Sequence, residues 1–158
     1  GEVEVTYMMA ERGPVGTRVA QTVAPMLAQI GIKANLELIE PAAWVKRRNE
    51  GDFDLYDFEW VADLDPDETL YPEFRSDGAW NFGKWVNTDF DDLCAQAQVV
   101  LEPEARKELY YKAEDLLMDE AAIAVMAHMP IYKVFSNKVQ GFEYIPADLV
   151  NLHTVSLA

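Results

Sequence analysis

Residues 31–41, GIKANLELIEP, decide the fold that this sequence predicts. Within them the apolar residues Ile32, Ala34, Leu36 and Leu38 alternate with polar ones. Alternation with a period of two is typical of a β-strand that buries one face. A glycine precedes this strand and a proline follows it, and these residues commonly end one helix and begin the next. The stretch therefore predicts a strand with a helix on each side.

The flanking segments extend the same pattern towards both ends. Apolar residues recur at helical spacing over 19–30 and predict a helix, which Pro25 is expected to kink or weaken. Before this helix, the alternation of apolar and polar residues over 2–9 predicts a first strand. After the central strand, 41–51 predict a helix and the aromatic-rich residues 53–60 predict a third strand. The order strand, helix, strand, helix, strand favours a parallel sheet with right-handed crossovers. The predicted fold class is α/β, with a mostly parallel central sheet flanked by helices.

The second half of the sequence has a more helical pattern. Thr88 is placed to cap a helix that runs to about Leu101, and Pro103 opens another. Residues 122–135 are apolar and predict a buried strand, and 139–142 predict a turn.

Composition limits the classes of function. The 158 residues include 28 acidic and 13 basic side chains, giving a formal net charge of −15. Such a surface repels phosphate backbones, so no nucleic-acid partner is expected. Cys94 is the only cysteine, which excludes an internal disulfide, and its place on an apolar helical stripe predicts a buried, inert thiol. No apolar run approaches the roughly 20 residues of a membrane span, and no signal peptide is apparent, so the protein is either cytosolic or has lost a leader.

Four acidic residues within 63–68 raise the question of a metal site. Asp63, Asp65 and Asp67 match the first three ligand positions of a calcium-binding loop, but Glu68 and Phe74 occupy positions that require glycine and glutamate. No metal is therefore expected, and Asp65 and Asp67 are interpreted mainly as turn and helix-cap residues. A small metal-dependent enzyme that uses these three aspartates stays open as an alternative from another class.

No other constellation indicates catalysis. His128 is predicted on the buried strand and His153 in the tail, far apart in the sequence. The sequence has no nucleophile elbow, phosphate loop or dinucleotide fingerprint, so no catalytic residue and no cofactor are predicted.

Position in the predicted sheet singles out one carboxylate. Ligands of open parallel sheets bind at the carboxyl ends of the strands. Trp60 is predicted to end the third strand, which places Asp63 just beyond it, and Glu11 and Arg12 follow the first strand to the same edge. A carboxylate beside an aromatic face suits an ammonium group through charge pairing and cation–π attraction. Asp63 is therefore the main ligand-binding candidate.

Several motifs occur in an order that is familiar from one receptor family. They are Ile30-Gly31-Ile32, Gly51-Asp52-Phe53-Asp54, Trp60-Val61-Ala62-Asp63 with Asp65-Pro66-Asp67, Asn81-Phe82-Gly83-Lys84-Trp85-Val86-Asn87, and Val139-Gln140-Gly141-Phe142. With them the chain resembles the C-terminal lobe of the family 5 extracellular solute-binding proteins, the dipeptide- and oligopeptide-binding components of ABC importers. The resemblance implies a type II periplasmic-binding-protein-like lobe.

The resemblance also implies a function and a set of site residues. The receptor would capture a di- or oligopeptide in a cleft between two lobes, without catalysis, and deliver it to a transmembrane permease. Asp63 would pair with the α-amino group of the peptide, and Trp60 would line the same cleft. Arg12, Phe82 and Trp85 are further ligand-binding candidates. The implied protein is a monomer, periplasmic or extracellular, and membrane-associated in a Gram-positive organism. Relatives that bind nickel chelates, opines or oligosaccharides leave the solute open.

Two departures from the family pattern qualify this expectation. Members are about three times as long, so residues 1–158 are expected to be a single lobe, with about 145–158 belonging with the missing one. Asp57 and Glu59 stand where the third strand is usually apolar or glycine. A lone lobe cannot bury its cleft face, so four aromatic residues are expected to be exposed. These are Trp60, Trp80, Phe82 and Trp85.

Overall fold

The computed structural model describes residues 3–11, 13–61, 64–145 and 150–158. The chain divides into two units, residues 1–59 and residues 60–158, each with its own core. In the described residues no helix has the combination of length and apolarity that a bilayer span requires.

The first unit is a parallel sheet with one helix against each face. Its elements are β1 (Val3–Ala10), α1 (Pro14–Gln29), β2 (Ile32–Ile39), α2 (Pro41–Glu50) and β3 (Leu55–Tyr56). The strand order is β2-β1-β3, and both pairings are parallel. Val3 lies opposite Ile32, and the register continues to Ala10 opposite Ile39. The predicted α/β class and parallel sheet are confirmed.

Helix ends in this unit follow the local signals. Gly31 and Gly51 have φ angles of 83° and 73°, the left-handed conformation that glycine adopts without strain. Glu40 caps α2, because its side chain accepts the main-chain N–H groups of Ala42 and Ala43. Pro25 lies inside α1, which continues through it as one helix.

The two faces of β1 bury different side chains. Tyr7 and Met9 pack with Ala20 of α1, whereas Met8 and Ala10 pack with the fully buried Trp44 of α2. Burial on both faces is typical of a parallel sheet that is covered by its crossover helices.

The third strand is much shorter than predicted. Only Leu55–Tyr56 pair with β1, and the main-chain N–H of Asp57 makes one further bond to Met8 O at 3.3 Å. Beyond that point the chain has no regular structure, so the prediction that Trp60 ends the strand is wrong. The Asp57 carboxylate lies close to Gly16 of α1, where an added Cβ would be 2.8 Å from Oδ2.

The second unit is mainly helical. Its elements are α3 (Asp67–Phe74), α4 (Thr88–Val99), α5 (Pro103–Asp119), β4 (Val139–Gln140) and β5 (Ser156–Leu157), the last two forming an antiparallel pair. The buried core is Leu70, Phe90, Cys94, Ala97, Tyr110, Ala113 and Leu117. Cys94 is fully buried, which confirms the predicted burial, and burial raises the pKa of its thiol to about 12.

The cap of α4 is Asn87 rather than Thr88. Asn87 has an extended backbone, and its Oδ1 accepts the N–H of Phe90 at 2.9 Å. Thr88 is the first helical residue, and the helix ends at Val99, two residues before the predicted Leu101. An asparagine directly before a threonine offers two adequate caps, and the sequence pattern alone did not separate them.

Residues 122–135 do not form the buried strand that their composition predicts. The segment has no regular structure, and large apolar side chains in it are exposed, up to 92 % for Val134 and 81 % for Tyr132. His128 is accordingly exposed as well. A strand needs a neighbour to satisfy its N–H and C=O groups, and no described strand pairs with this segment. Apolar composition alone therefore led to a wrong prediction.

Candidate functional site

In the first unit, the carboxyl ends of β1 and β2 border a shallow depression. It has a volume of about 370 Å³. Its lining residues are Glu11, Gly13, Thr17, Arg18, Gln21 and Leu38. Ligands of parallel sheets bind at the carboxyl ends of the strands. The depression lies at this predicted ligand-binding edge. Arg12, which was predicted to serve the site, lies outside the described residues.

In the second unit, two exposed tryptophans form a pair. The ring centroids of Trp60 and Trp80 are 4.8 Å apart with the planes tilted by 53°, and the residues are 36 % and 42 % exposed. This geometry is favourable for two aromatic rings. Asp63, the principal candidate, lies outside the described residues, as does the preceding Ala62.

A buried asparagine fixes the turn that carries the other predicted aromatics. Asn81 Nδ2 donates to Arg75 O at 3.0 Å and to Trp85 O at 2.7 Å, and its Oδ1 accepts the N–H of Trp85 at 3.1 Å. Phe82 is half-buried within this turn. The main-chain groups are thus satisfied by one side chain, which holds the turn in a single arrangement.

Trp85 contacts the core of its own unit. Its ring meets Phe90 edge-to-face at 5.0 Å, and its Nε1 donates to Glu120 at 3.0 Å. Of the four aromatics expected to be exposed, Trp60 and Trp80 are exposed, whereas Phe82 and Trp85 are half-buried. Participation of Phe82 and Trp85 in ligand binding stays a prediction.

An arginine anchors the segment that follows Asp63. The guanidinium of Arg106 donates to both carboxylate oxygens of Asp65, each at 2.8 Å, and this pairing holds the pKa of Asp65 below its usual value. Asp65 Oδ1 also accepts the N–H of Asp67, the first residue of α3. Bidentate arginine–carboxylate pairs fix orientation as well as distance. The predicted turn role of Asp65 is confirmed, and Arg106 is an anchor that the sequence did not reveal.

The carboxylate of Asp67 is also bound within the unit. Its oxygens accept hydrogen bonds from Tyr110 Oη at 3.2 Å and from Gln98 Nε2 at 3.0 Å. Among the described residues no group of three or more histidine, cysteine or acidic side chains could hold a metal ion.

Comparison with known proteins identifies the family. Residues 2–82 match the family described as "Bacterial extracellular solute-binding proteins, family 5 Middle". The chain belongs to this family. The predicted resemblance is confirmed, and the family is one of binding proteins rather than enzymes, as predicted.

Relatives of this family 5 chain include proteins named for peptides. A dipeptide-binding protein of Pseudomonas aeruginosa is 31 % identical over 150 residues, which are 92 % of this chain and 28 % of the relative. The solved structure of HbpA2 from Haemophilus parasuis has a TM-score of 0.84 at 28 % identity, over 99 % of this chain and 32 % of that one. The periplasmic binding protein DppA from Helicobacter pylori, solved with the peptide STSA, has a TM-score of 0.81 at 25 % identity, over 99 % of this chain and 31 % of that one.

These likenesses confirm the type II periplasmic-binding-protein-like fold. The family 5 chain spans slightly over a quarter of the length of the curated relative that it matches.

Proposed function

We propose that this chain is one lobe of a longer, monomeric receptor that binds a di- or oligopeptide outside the cytoplasmic membrane and delivers it to the permease of an ABC importer. The observation that carries the proposal is the family match together with the exposed Trp60–Trp80 pair. Trp60 lies in the segment where the resemblance implies the peptide contact. The peptide-binding names of the relatives favour a peptide over the other solutes.

The exposed segment 122–135 supports the idea of a lobe within a larger protein. Its composition is that of a buried strand, yet most of its apolar side chains after Ile123 face solvent. Contiguous exposed apolar surface usually marks an interface. A longer chain of the kind seen in the relatives would cover it.

Asp63 is proposed to pair with the α-amino group of the peptide. Trp60 precedes it by three positions and supplies an aromatic face, which suits an ammonium group. The ion pair gains strength when the cleft closes and water leaves, because charges attract more strongly at low dielectric. Arg12, Phe82 and Trp85 are proposed as further contacts of the peptide.

The test is calorimetric titration of the full-length receptor with a free dipeptide. Removing one partner of a buried ion pair costs roughly 3–5 kcal/mol, so Asp63→Asn should weaken binding about 100-fold or more. N-acetylation of the dipeptide should weaken wild-type binding similarly and should have little further effect on Asp63→Asn. Glu68→Gln is the matched control, because Glu68 is exposed in the first turn of α3 and its loss should leave affinity unchanged.

Unchanged affinity of Asp63→Asn would mean that this aspartate does not hold the amine. If the wild-type receptor binds no peptide, the peptide assignment is wrong, and mass spectrometry of the solute that co-purifies with the receptor then identifies its class.

A further inference from the structure

The ring of Trp80 is exposed, although the backbone that carries it is fixed. The N–H of Trp80 donates to Pro72 O at 2.8 Å, and its carbonyl accepts the N–H of Phe82 at 2.7 Å. The next residue is the buried Asn81, which binds the main chain of Arg75 and of the following turn. A large aromatic side chain is thus presented to solvent from a rigid support, the arrangement that binding sites favour over mobile loops.

Comparison with Trp85 shows that Trp80 lacks the structural contacts that account for a nearby tryptophan. Trp85 packs against the core, and its indole N–H donates a hydrogen bond to Glu120. These contacts give Trp85 a structural role within the unit. Among the described residues Trp80 is not one of those packed against that core, and its ring contacts Trp60 instead. Exposed tryptophans in a pre-formed arrangement are enriched where partners bind.

We propose that Trp80 is a specificity-determining residue, which with Trp60 forms a subsite for the first side chain of the bound peptide and selects an aromatic side chain there. This inference rests on the proposed function, in which the α-amino group binds Asp63. The α-amino group and the first side chain leave the same α-carbon, so the group that receives the side chain must lie close to the one that receives the amine. Trp60 meets this requirement through its sequence position, and Trp80 through its contact with Trp60.

The chemistry of the segment favours an aromatic side chain over a cationic one. Val61 and Leu64 are apolar and exposed, at 41 % and 67 %, so the chain beside Trp60 presents apolar surface. Asp65, the first acidic side chain after Trp60 that the structure describes, is already paired with Arg106. Two indoles tilted by 53° offer both a face and an edge, and a third ring can pack against either.

The experiment compares dipeptides on the full-length receptor and its variants by calorimetry. Trp80→Ala should lose roughly tenfold in affinity for Phe-Ala and change little for Ala-Ala, because only the first peptide places a ring in the subsite. Trp80→Phe should restore most of the affinity for Phe-Ala. Tyr111→Ala is the matched control, since it removes a half-exposed ring from α5 and should leave both affinities unchanged.

Each outcome decides the proposal. An equal loss for Phe-Ala and Ala-Ala, or no loss for either, would overturn the subsite while leaving the proposed function intact. Tighter binding of Lys-Ala than of Phe-Ala by the wild type would overturn the aromatic preference. Failure of the wild type to bind any free dipeptide would overturn the proposed function and the subsite with it.

Discussion

Replacing Arg106 with methionine removes the group that anchors the segment following Asp63. The guanidinium makes two bonds of 2.8 Å to the Asp65 carboxylate, one of 2.8 Å to Tyr110 Oη, and one of 3.0 Å from Nε to Ala97 O. Methionine retains an unbranched chain of similar length but none of these donors. The variant therefore leaves a carboxylate, a carbonyl and a hydroxyl without the partner they have in the wild type.

The magnitude follows from the exposure of the groups. Hydrogen bonds to charged groups contribute about 1.5–3 kcal/mol each when they are buried. Here the side chains of Arg106 and Asp65 are 27 % and 42 % exposed, so the ion pair is screened and contributes about 1 kcal/mol. The bonds to Ala97 and Tyr110 add about 1 kcal/mol together. Arg106→Met should therefore lower the free energy of unfolding by about 2 kcal/mol.

Urea unfolding measures this loss as a lower midpoint at unchanged slope. Arg106→Lys should recover less than half of it, because an ammonium cannot bind both oxygens of a carboxylate in the planar, bidentate manner. Lys107→Met is the matched control, since Lys107 makes only an exposed pair with Glu104 at 3.4 Å, and its loss should cost less than about 0.5 kcal/mol. A loss for Arg106→Met no larger than for the control would refute the anchoring role.

The same prediction has a pH dependence. Hydrogen bonding to Arg106 lowers the pKa of Asp65 in the folded state below the ordinary value of 3.8. A lowered folded-state pKa stabilises the protein above the unfolded-state pKa, and this contribution disappears as the pH falls through the folded-state pKa. The difference in stability between wild type and Arg106→Met should thus be full at neutral pH and should shrink below 3.8. A difference that does not change with pH would exclude the Asp65 carboxylate as the partner.

Two further predictions concern the second unit. Cys94 should resist alkylation by iodoacetamide at mildly alkaline pH in the folded protein, because burial raises the pKa of its thiol to about 12. It should react rapidly once urea unfolds the protein. Rapid labelling of the folded protein would contradict this prediction. Asn87→Ala should lower the free energy of unfolding by about 1 kcal/mol, since it removes the α4 cap on Phe90 N–H. Thr88→Ala should cost clearly less in the same urea titration, and an equal cost would assign the cap to both residues.

The first 51 residues are the part of the fold that sequence predicts well, because their signals are local. Alternation of apolar residues sets β1 and β2, and Pro41 and Gly51 bound α2 at the predicted ends. Each of these signals acts within a few positions of the residue that carries it, and the left-handed φ angle of Gly51 agrees with its role at the helix end.

The candidate site depends on contacts that no local pattern contains. Arg106 is 41 positions from Asp65, and in the sequence it is one cation on a helix among several. The pairing of Trp60 with Trp80 is also a contact between residues far apart in the sequence. It depends on a turn that the buried Asn81 fixes. The sequence shows Asn81 within the motif Asn81-Phe82-Gly83-Lys84-Trp85, but it does not show that the Asn81 side chain binds the main chain of the turn.

Segment 122–135 shows a different limit of sequence patterns. A pattern reports how apolar a stretch is, whereas burial also requires another part of the protein to cover it. The prediction for His128 failed for the same reason, since its burial was inferred from its neighbours and they are exposed. Its interpretation as a buried histidine therefore does not hold in the described chain.

Two aspartates of the acidic cluster have separate structural partners. Asp65 is bound to Arg106, and Asp67 is bound to Tyr110 and Gln98, so both carboxylates already hold the second unit together. A fall in peptide affinity after Asp65→Asn or Asp67→Asn therefore cannot be assigned to ligand contact until the loss of stability is measured and subtracted. Comparison of Asp63→Asn with these two variants separates recognition from support: only a variant that loses affinity at unchanged stability identifies a carboxylate that contacts the peptide.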